Sequence, residues 1–189
     1  MRKWKRVQTP DGPRFVSAFE PHEAALLRGM ATSVREMLDD RASSAPKDPL
    51  EQITGIRTGN ATPPADATMR RLLPDFVGDG DKTGETAANA LRSLREPEII
   101  DAKASAVQQL LESLPEGGGR LELTEDEANA WVGAVNDMRL VLGTLLQVGP
   151  EGPDRLPPEH PMATHLDVYQ WLTVLQEYLV LGLMGKPIR

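Results

Sequence analysis

"NDMRLVLGTLLQV", residues 136–148, sets Asn136, Asp137 and Arg139 beside an almost unbroken apolar series. The same run begins upstream at Trp131 and Val135 and continues through Met138, Leu142 and Leu145, in steps of four and three that mark a helix packed in a bundle. Asn136 and Arg139 are three apart and flank this stripe at the edge of the core, while Asp137 points elsewhere. Two readings of the polar triplet follow. In one, Arg139 bonds to a carboxylate or to carbonyls of a neighbouring helix, with Gln176 or Glu177 as partner and Asn136 fixing the register, because buried polar groups must be satisfied. In the other, the triplet is an exposed anchor for a partner protein, a role in which Arg and Trp are common.

Immediately before this helix, "RLELT" (120–124) alternates as a half-buried strand does, and Thr124 with Glu127 forms a capping box. The strand is expected to join a hairpin made by residues 3–19, whose two short runs surround the turn cluster Pro10-Asp11-Gly12-Pro13. Pro21 suits a first helical position, and Leu26, Leu27, Met30, Val34, Met37 and Leu38 recur at helical spacing up to Asp39. Shorter helices are expected over Pro49–Ile56 and Asp66–Leu73, with loops at Ser43–Asp48, Arg57–Ala65 and Val77–Gly84. From Thr86 to Leu114 the pattern is helical again, but Pro97 removes a backbone donor and predicts a break near Glu96.

After the proline-rich loop Gly149–Pro161, a last helix over Ala163–Met184 is apolar on more than one face, which predicts a central position. Gln170, Thr173, Gln176 and Glu177 interrupt it, so it reads as a buried helix and not a membrane span. An apolar helix at this place also leaves a homodimer open. The expected fold is α+β and mainly α: one domain over residues 1–189, a helical bundle with a small antiparallel β-sheet.

A chain of 189 residues is long enough for a substantial core, and 16 Gly with 16 Pro predict ordered elements separated by irregular segments. Net charge is −7, which disfavours non-specific adhesion to nucleic acid or anionic membrane. The sequence holds no cysteine, which excludes disulfides, thiolate nucleophiles and thiol redox switches within it and fits a reducing cytoplasm. The basic start is not followed by an apolar stretch of signal-peptide length, so no membrane anchor is expected.

No catalytic, cofactor-binding or metal-binding set is legible. His22 lacks the second histidine of the zinc-protease helix motif, and His160 and His165 have no neighbouring His or Cys to complete a site. "GDGDKTGE" (78–85) lacks both P-loop and EF-hand spacing and reads as a turn. The start of the chain offers Arg2, Lys3, Lys5 and Arg6 around Trp4. These residues either grip phosphates with an aromatic stacking partner or form a solvated edge strand with Trp4 packed inward.

"WVGAVNDMRLVLGTLLQV" (131–148) together with "YQWLTVLQEYLV" (169–180) resembles the actinobacterial family of AosR-like oxidative-stress regulators, formerly a domain of unknown function. Weaker similarity covers the hairpin, "FEPHEAALLRGM" (19–30), "RRLLPDF" (70–76) and the region Arg92–Lys103. The signature positions are Trp131, Asn136, Asp137, Arg139, Gly143, Thr144, Trp171, Gln176 and Glu177. The family pattern follows Gly143-Thr144 with Arg, where this chain has Leu145. The resemblance implies a non-enzymatic cytoplasmic regulator that acts on transcription through contact with a sigma factor or RNA polymerase. It also implies a sensing step through a cysteine pair near the N-terminus, which does not carry over to a sequence without cysteine. The alternative is a DNA-binding regulator that uses the basic hairpin.

Overall fold

The computed structural model describes residues 4–46, 51–76, 84–153 and 155–186, with the backbone alone at residue 52. The chain opens with the expected hairpin, β1 (Lys5–Thr9) and β2 (Gly12–Phe19), closed at the pair Thr9 and Gly12. The "RLELT" alternation becomes β3 (Gly119–Leu123), which pairs antiparallel with the free side of β2, so the sheet order is β1-β2-β3. Its register sets Phe15 opposite Leu123 and Ser17 opposite Leu121. All four are buried, and this single face is the sheet's share of the core.

Helix α1 (Pro21–Ser43) starts at a reciprocal Glu20/Glu23 capping box, with proline in its first turn, and continues a turn beyond Asp39. Helix α2 (Glu51–Thr54) is one turn, shorter than Pro49–Ile56, and the first two of those residues lie outside the described set. In α3 (Ala67–Leu72) the N-cap Asp66 accepts from the Met69 amide at 2.8 Å. Helices α4 (Glu85–Ser113), α5 (Glu125–Leu145) and α6 (Ala163–Leu183) follow, and α5 begins at the Thr124/Glu127 box. Of the loop expected at Val77–Gly84 and of "GDGDKTGE", all but Gly84 and Glu85 lie outside the described residues.

The central helix is α5 and not α6. Helix α5 packs against α1, α3, α4, α6 and the sheet, whereas α6 packs on α5 and reaches β1. The cause is connectivity, because β3 delivers α5 directly beneath the sheet and the other helices close around it. Val174 and Val180 of α6, and Met184 just past its end, consequently remain exposed. The α5 stripe ends at Leu142, and Leu145, placed in it by its spacing, is 57% exposed.

An aromatic cluster joins the hairpin to α5 and α6. Phe19 stacks on Trp131 with centroids 5.8 Å apart and meets Trp4 and Trp171 edge-on at 6.2 and 6.5 Å. Trp131 is fully buried, and its indole N–H donates to Ser113 Oγ at 2.8 Å. Leu26, expected to face the core, is 38% exposed, while its neighbour Leu27 is fully buried. On the far side of α1, the Arg28 guanidinium donates to the carbonyls of Leu111 and Leu114 at the C-terminal end of α4, where a cation is favoured.

The break expected near Glu96 does not occur: α4 runs unbroken from Glu85 to Ser113 with Pro97 inside it. Proline at 97 deprives the Ser93 carbonyl of its helical donor, and the Gly59 amide supplies one from the preceding loop at 2.7 Å. The loop comes this close because residue 59 has no side chain. A Cβ there would stand 2.9 Å from Pro97 Cγ and 3.0 Å from Cδ. Gly59→Ala is therefore expected to push the loop off the proline ring and weaken the substitute bond, costing about 1–3 kcal/mol. Urea denaturation of the variant against the wild type measures it, and equal midpoints would contradict the account.

Candidate functional site

The two tryptophan-bearing helices lie against each other, and Arg139 is the polar seam between them. Its guanidinium donates to Gln176 Oε1 at 2.5 Å, to Thr173 Oγ1 at 3.1 Å and to the Tyr169 hydroxyl at 3.4 Å. The cation also sits over the Tyr169 ring, 5.3 Å from its centroid. Gln176 returns a bond to α5 by donating its amide to the Val132 carbonyl at 3.2 Å. Gln176, and not Glu177, is thus the partner of Arg139, and Glu177 is exposed. A step of one residue turns a helical side chain by about 100°, so only one of the two can face α5.

Asn136 is half-buried and forms no side-chain hydrogen bond among the described residues, so it does not fix the register by bonding. Thr144 donates to the Leu140 carbonyl at 2.9 Å within its own helix, and Gly143 faces Tyr169 and Val148. Trp171 is half-buried against Phe19.

Asp137 does not point away from the core. It is 2% exposed in the α4–α5 interface, where Lys103 Nζ donates to Oδ1 at 2.6 Å. Burial pushes its carboxyl above the ordinary value, opposed by the Lys103 hydrogen bond and charge. The reading of a single stripe missed it because α5 is covered on several sides.

A second buried ion network was not singled out from the sequence. Glu96 takes a two-pronged contact from Arg41, Nε to Oε1 at 2.7 Å and Nη2 to Oε2 at 3.1 Å, and a third bond from Arg92 at 3.0 Å. Arg92 also reaches the Pro74 carbonyl at 3.1 Å and Asp75 at 2.8 Å, and stacks over Phe76. Arg41 donates onward to the Thr62 carbonyl at 2.7 Å. Arg92 and Glu96 are 2% and 1% exposed. The one sequence signal for them is the i,i+4 spacing of opposite charges, which ordinarily marks a solvated helix face.

At the start of the chain, Arg2 and Lys3 lie outside the described residues, and Lys5 and Arg6 are exposed on β1. Trp4 is 2% exposed inside the aromatic cluster, so it offers no face for base stacking. His22, His160 and His165 are all exposed. Among the described residues no group of three or more His, Cys, Asp or Glu could hold a metal ion, and no helix is long and apolar enough to cross a membrane.

Two substitutions test these buried charges. Glu96→Ala leaves Arg41 and Arg92 facing each other without their shared carboxylate, and is expected to cost about 3–5 kcal/mol in chemical denaturation. Lys103→Met leaves Asp137 buried without its cation, costing about 3 kcal/mol near neutral pH. A carboxyl whose folded pKa is raised binds more protons folded than unfolded. Its charged form therefore destabilises the fold above the folded pKa, and the loss is recovered as pH falls through that value. Denaturation of Lys103→Met at about pH 7.5 and about pH 5 should show the deficit shrinking at the lower pH, and a deficit that grows would contradict the assignment.

Comparison with known proteins places this architecture. The family described as "Domain of unknown function (DUF2017)" matches residues 1–183. "Oxidative stress regulator AosR" of Mycobacterium bovis is 61% identical over 195 residues, covering 98% of this chain and 89% of the relative. The protein of that name from Mycobacterium tuberculosis matches with the same figures, 61% over 195 residues with 98% and 89% covered. A Mycobacterium leprae relative is 56% identical over 194 residues, with 98% of this chain and 89% of that protein covered. No solved structure matches significantly. With this identity along nearly its whole length, the chain belongs to the DUF2017 family of AosR-like proteins, whose mycobacterial members are named oxidative stress regulators.

Proposed function

We propose that this chain is a non-enzymatic cytoplasmic regulator of an oxidative-stress response that acts on transcription by binding a protein, either a sigma factor or RNA polymerase. The observation that carries the reading is the 61% identity over 98% of the chain to proteins named oxidative stress regulators. The side-chain chemistry agrees with it. The buried charged groups of the described residues are engaged with one another, Asp137 with Lys103 and Glu96 with Arg41 and Arg92, and so hold helices together. The 189 residues contain no cysteine, so none of them supplies a redox-sensing thiol, and the reading assigns the regulation to association.

DNA contact by the hairpin is the alternative, favoured by the exposure of Lys5 and Arg6 on an edge strand. With Trp4 sealed in the core, phosphate contact is what those residues could supply, against a net charge of −7.

Capture experiments with purified RNA polymerase holoenzyme subunits test the main reading. A sigma factor or polymerase subunit should be retained above a scrambled-sequence control, and retention should be unchanged when this chain is first treated with the thiol oxidant diamide. Absence of any retained subunit sinks the role. A mobility shift with DNA that collapses between low and moderate salt would support the alternative instead.

A further inference from the structure

We propose that the cleft between α3 and the C-terminal end of α5 is a docking site for an acidic segment of a partner protein. Arg70 and Arg71 would receive its carboxylates, and the Gln147 amide would bond to its backbone. The inference rests on the reading of this chain as a regulator that acts by protein contact, and it names the surface and the chemistry of that contact.

The cleft has a volume of about 660 Å³, and Arg70, Arg71, Leu140, Gln147 and Val148 are among its walls. Both arginines are exposed, and neither is in an ion pair among the described residues. Arg70 uses only its Nε, donating to the Pro64 carbonyl at 3.3 Å. The carboxylate that also lines the cleft, Asp75, is already held by Arg92 at 2.8 Å and does not neutralise them. On a molecule of net charge −7, two adjacent guanidinium groups without a carboxylate partner among the described residues are a local exception to a field that repels anions.

Backbone geometry gives a second, independent observation. Gln147 has φ +54°, the one non-glycine residue with positive φ among the described residues. It stands just past the end of α5 in a Schellman arrangement, with the Val148 amide donating to Gly143 O at 2.8 Å and the Gln147 amide to Thr144 O at 3.1 Å. Glycine takes this place without strain, so a glutamine here keeps a polar side chain on the cleft wall at a cost to stability.

The backbone that carries the arginines is also held in place. They form the last turn of α3, which is anchored by the buried Leu72 and Leu73 and, just beyond, by the bond from Arg92 to the Pro74 carbonyl. A backbone fixed in this way loses little freedom on binding, which leaves the ordering of the arginine side chains as the cost. The cleft is open, and exposed arginines in such a setting hold a small anion weakly against water. A peptide segment bearing carboxylates between apolar side chains would in addition cover Leu140, Val148 and Ala65, which line the same cleft.

The test uses the full chain and two probes. The first is a fluorescein-labelled peptide of alternating Glu and Leu, with the Lys and Leu peptide as its control, followed by fluorescence anisotropy. The wild type should bind the acidic peptide alone, and more weakly as salt rises. The double variant Arg70→Glu/Arg71→Glu should weaken binding at least about tenfold. Gln147→Gly should weaken it about threefold while raising Tm by about 2 °C, so that its loss of binding does not come from misfolding. No binding by the wild type, or undiminished binding by either variant, overturns the cleft. The second probe is the captured sigma factor or polymerase subunit. If the acidic peptide binds as described but no subunit is retained, the transcriptional reading fails and the site stands. If a subunit is retained equally by the wild type and the double variant, the site fails as the partner surface and the reading stands.

Discussion

A proline in the interior of a long helix leaves a carbonyl without its donor, and an unpaired buried carbonyl costs about 1–3 kcal/mol. In this protein the Gly59 amide meets that need at Ser93, and the arrangement of the helices depends on it. With α4 continuous through Pro97, residues on both sides of the proline share one axis. The N-terminal half carries Arg92 and Glu96 toward α1 and the loop before α4, and the C-terminal half carries Lys103, Ala104 and Val107 toward the core. A kink at 97 would swing one half away and part either Glu96 from Arg41 or Asp137 from Lys103.

Buried charges at these positions are poor contributors to net stability, since desolvation costs several kcal/mol per ion. Their effect is on geometry. Arg41, Glu96, Arg92 and Asp75 alternate in sign along the network, and its Arg41–Glu96 and Arg92–Asp75 bonds join segments that local sequence leaves free to move relative to one another. Arg92 fixes the turn after α3, and Arg41 fixes the Thr62 carbonyl in the irregular stretch before it. An apolar cluster would hold those loops about as firmly but would specify their register less well, because apolar contacts lack direction.

The parts of the fold that carry local signals were legible. The Thr124/Glu127 and proline-led helix starts, the alternation of "RLELT" and the hairpin turn all depend on residues within a few positions of each other. The continuity of α4 was not legible, because the donor that rescues Ser93 comes from a distant loop with nothing in its own sequence to announce it. Asp137 was misplaced for a related reason. A single apolar stripe implies one buried face, yet Trp131, Ala134, Val135, Asp137 and Met138 are all buried, since α5 is surrounded. Arg139 was legible in kind, as a cross-helix bond to α6, but the choice between Gln176 and Glu177 needed the helix phase. The arginines of α3 stood out only as the start of "RRLLPDF", with no sign of a cleft, because a pair of exposed basic residues in a short helix looks like any solvated surface.

Several of the residues that make the family recognisable hold helices together. Arg139, Gln176 and Tyr169 bond α5 to α6, and Asp137 bonds α5 to α4, so the hydrogen-bonding groups of these residues are already engaged between helices. The likeness to oxidative stress regulators along α5 and α6 is in good part a likeness of architecture, and the surface the motif leaves uncommitted lies at its end. One end of α5 meets that description. Gly143 and Thr144 close the helix, Gln147 follows in its left-handed turn, and the arginines of α3 stand across the cleft from them. There the recognisable sequence ends and the uncommitted charge begins.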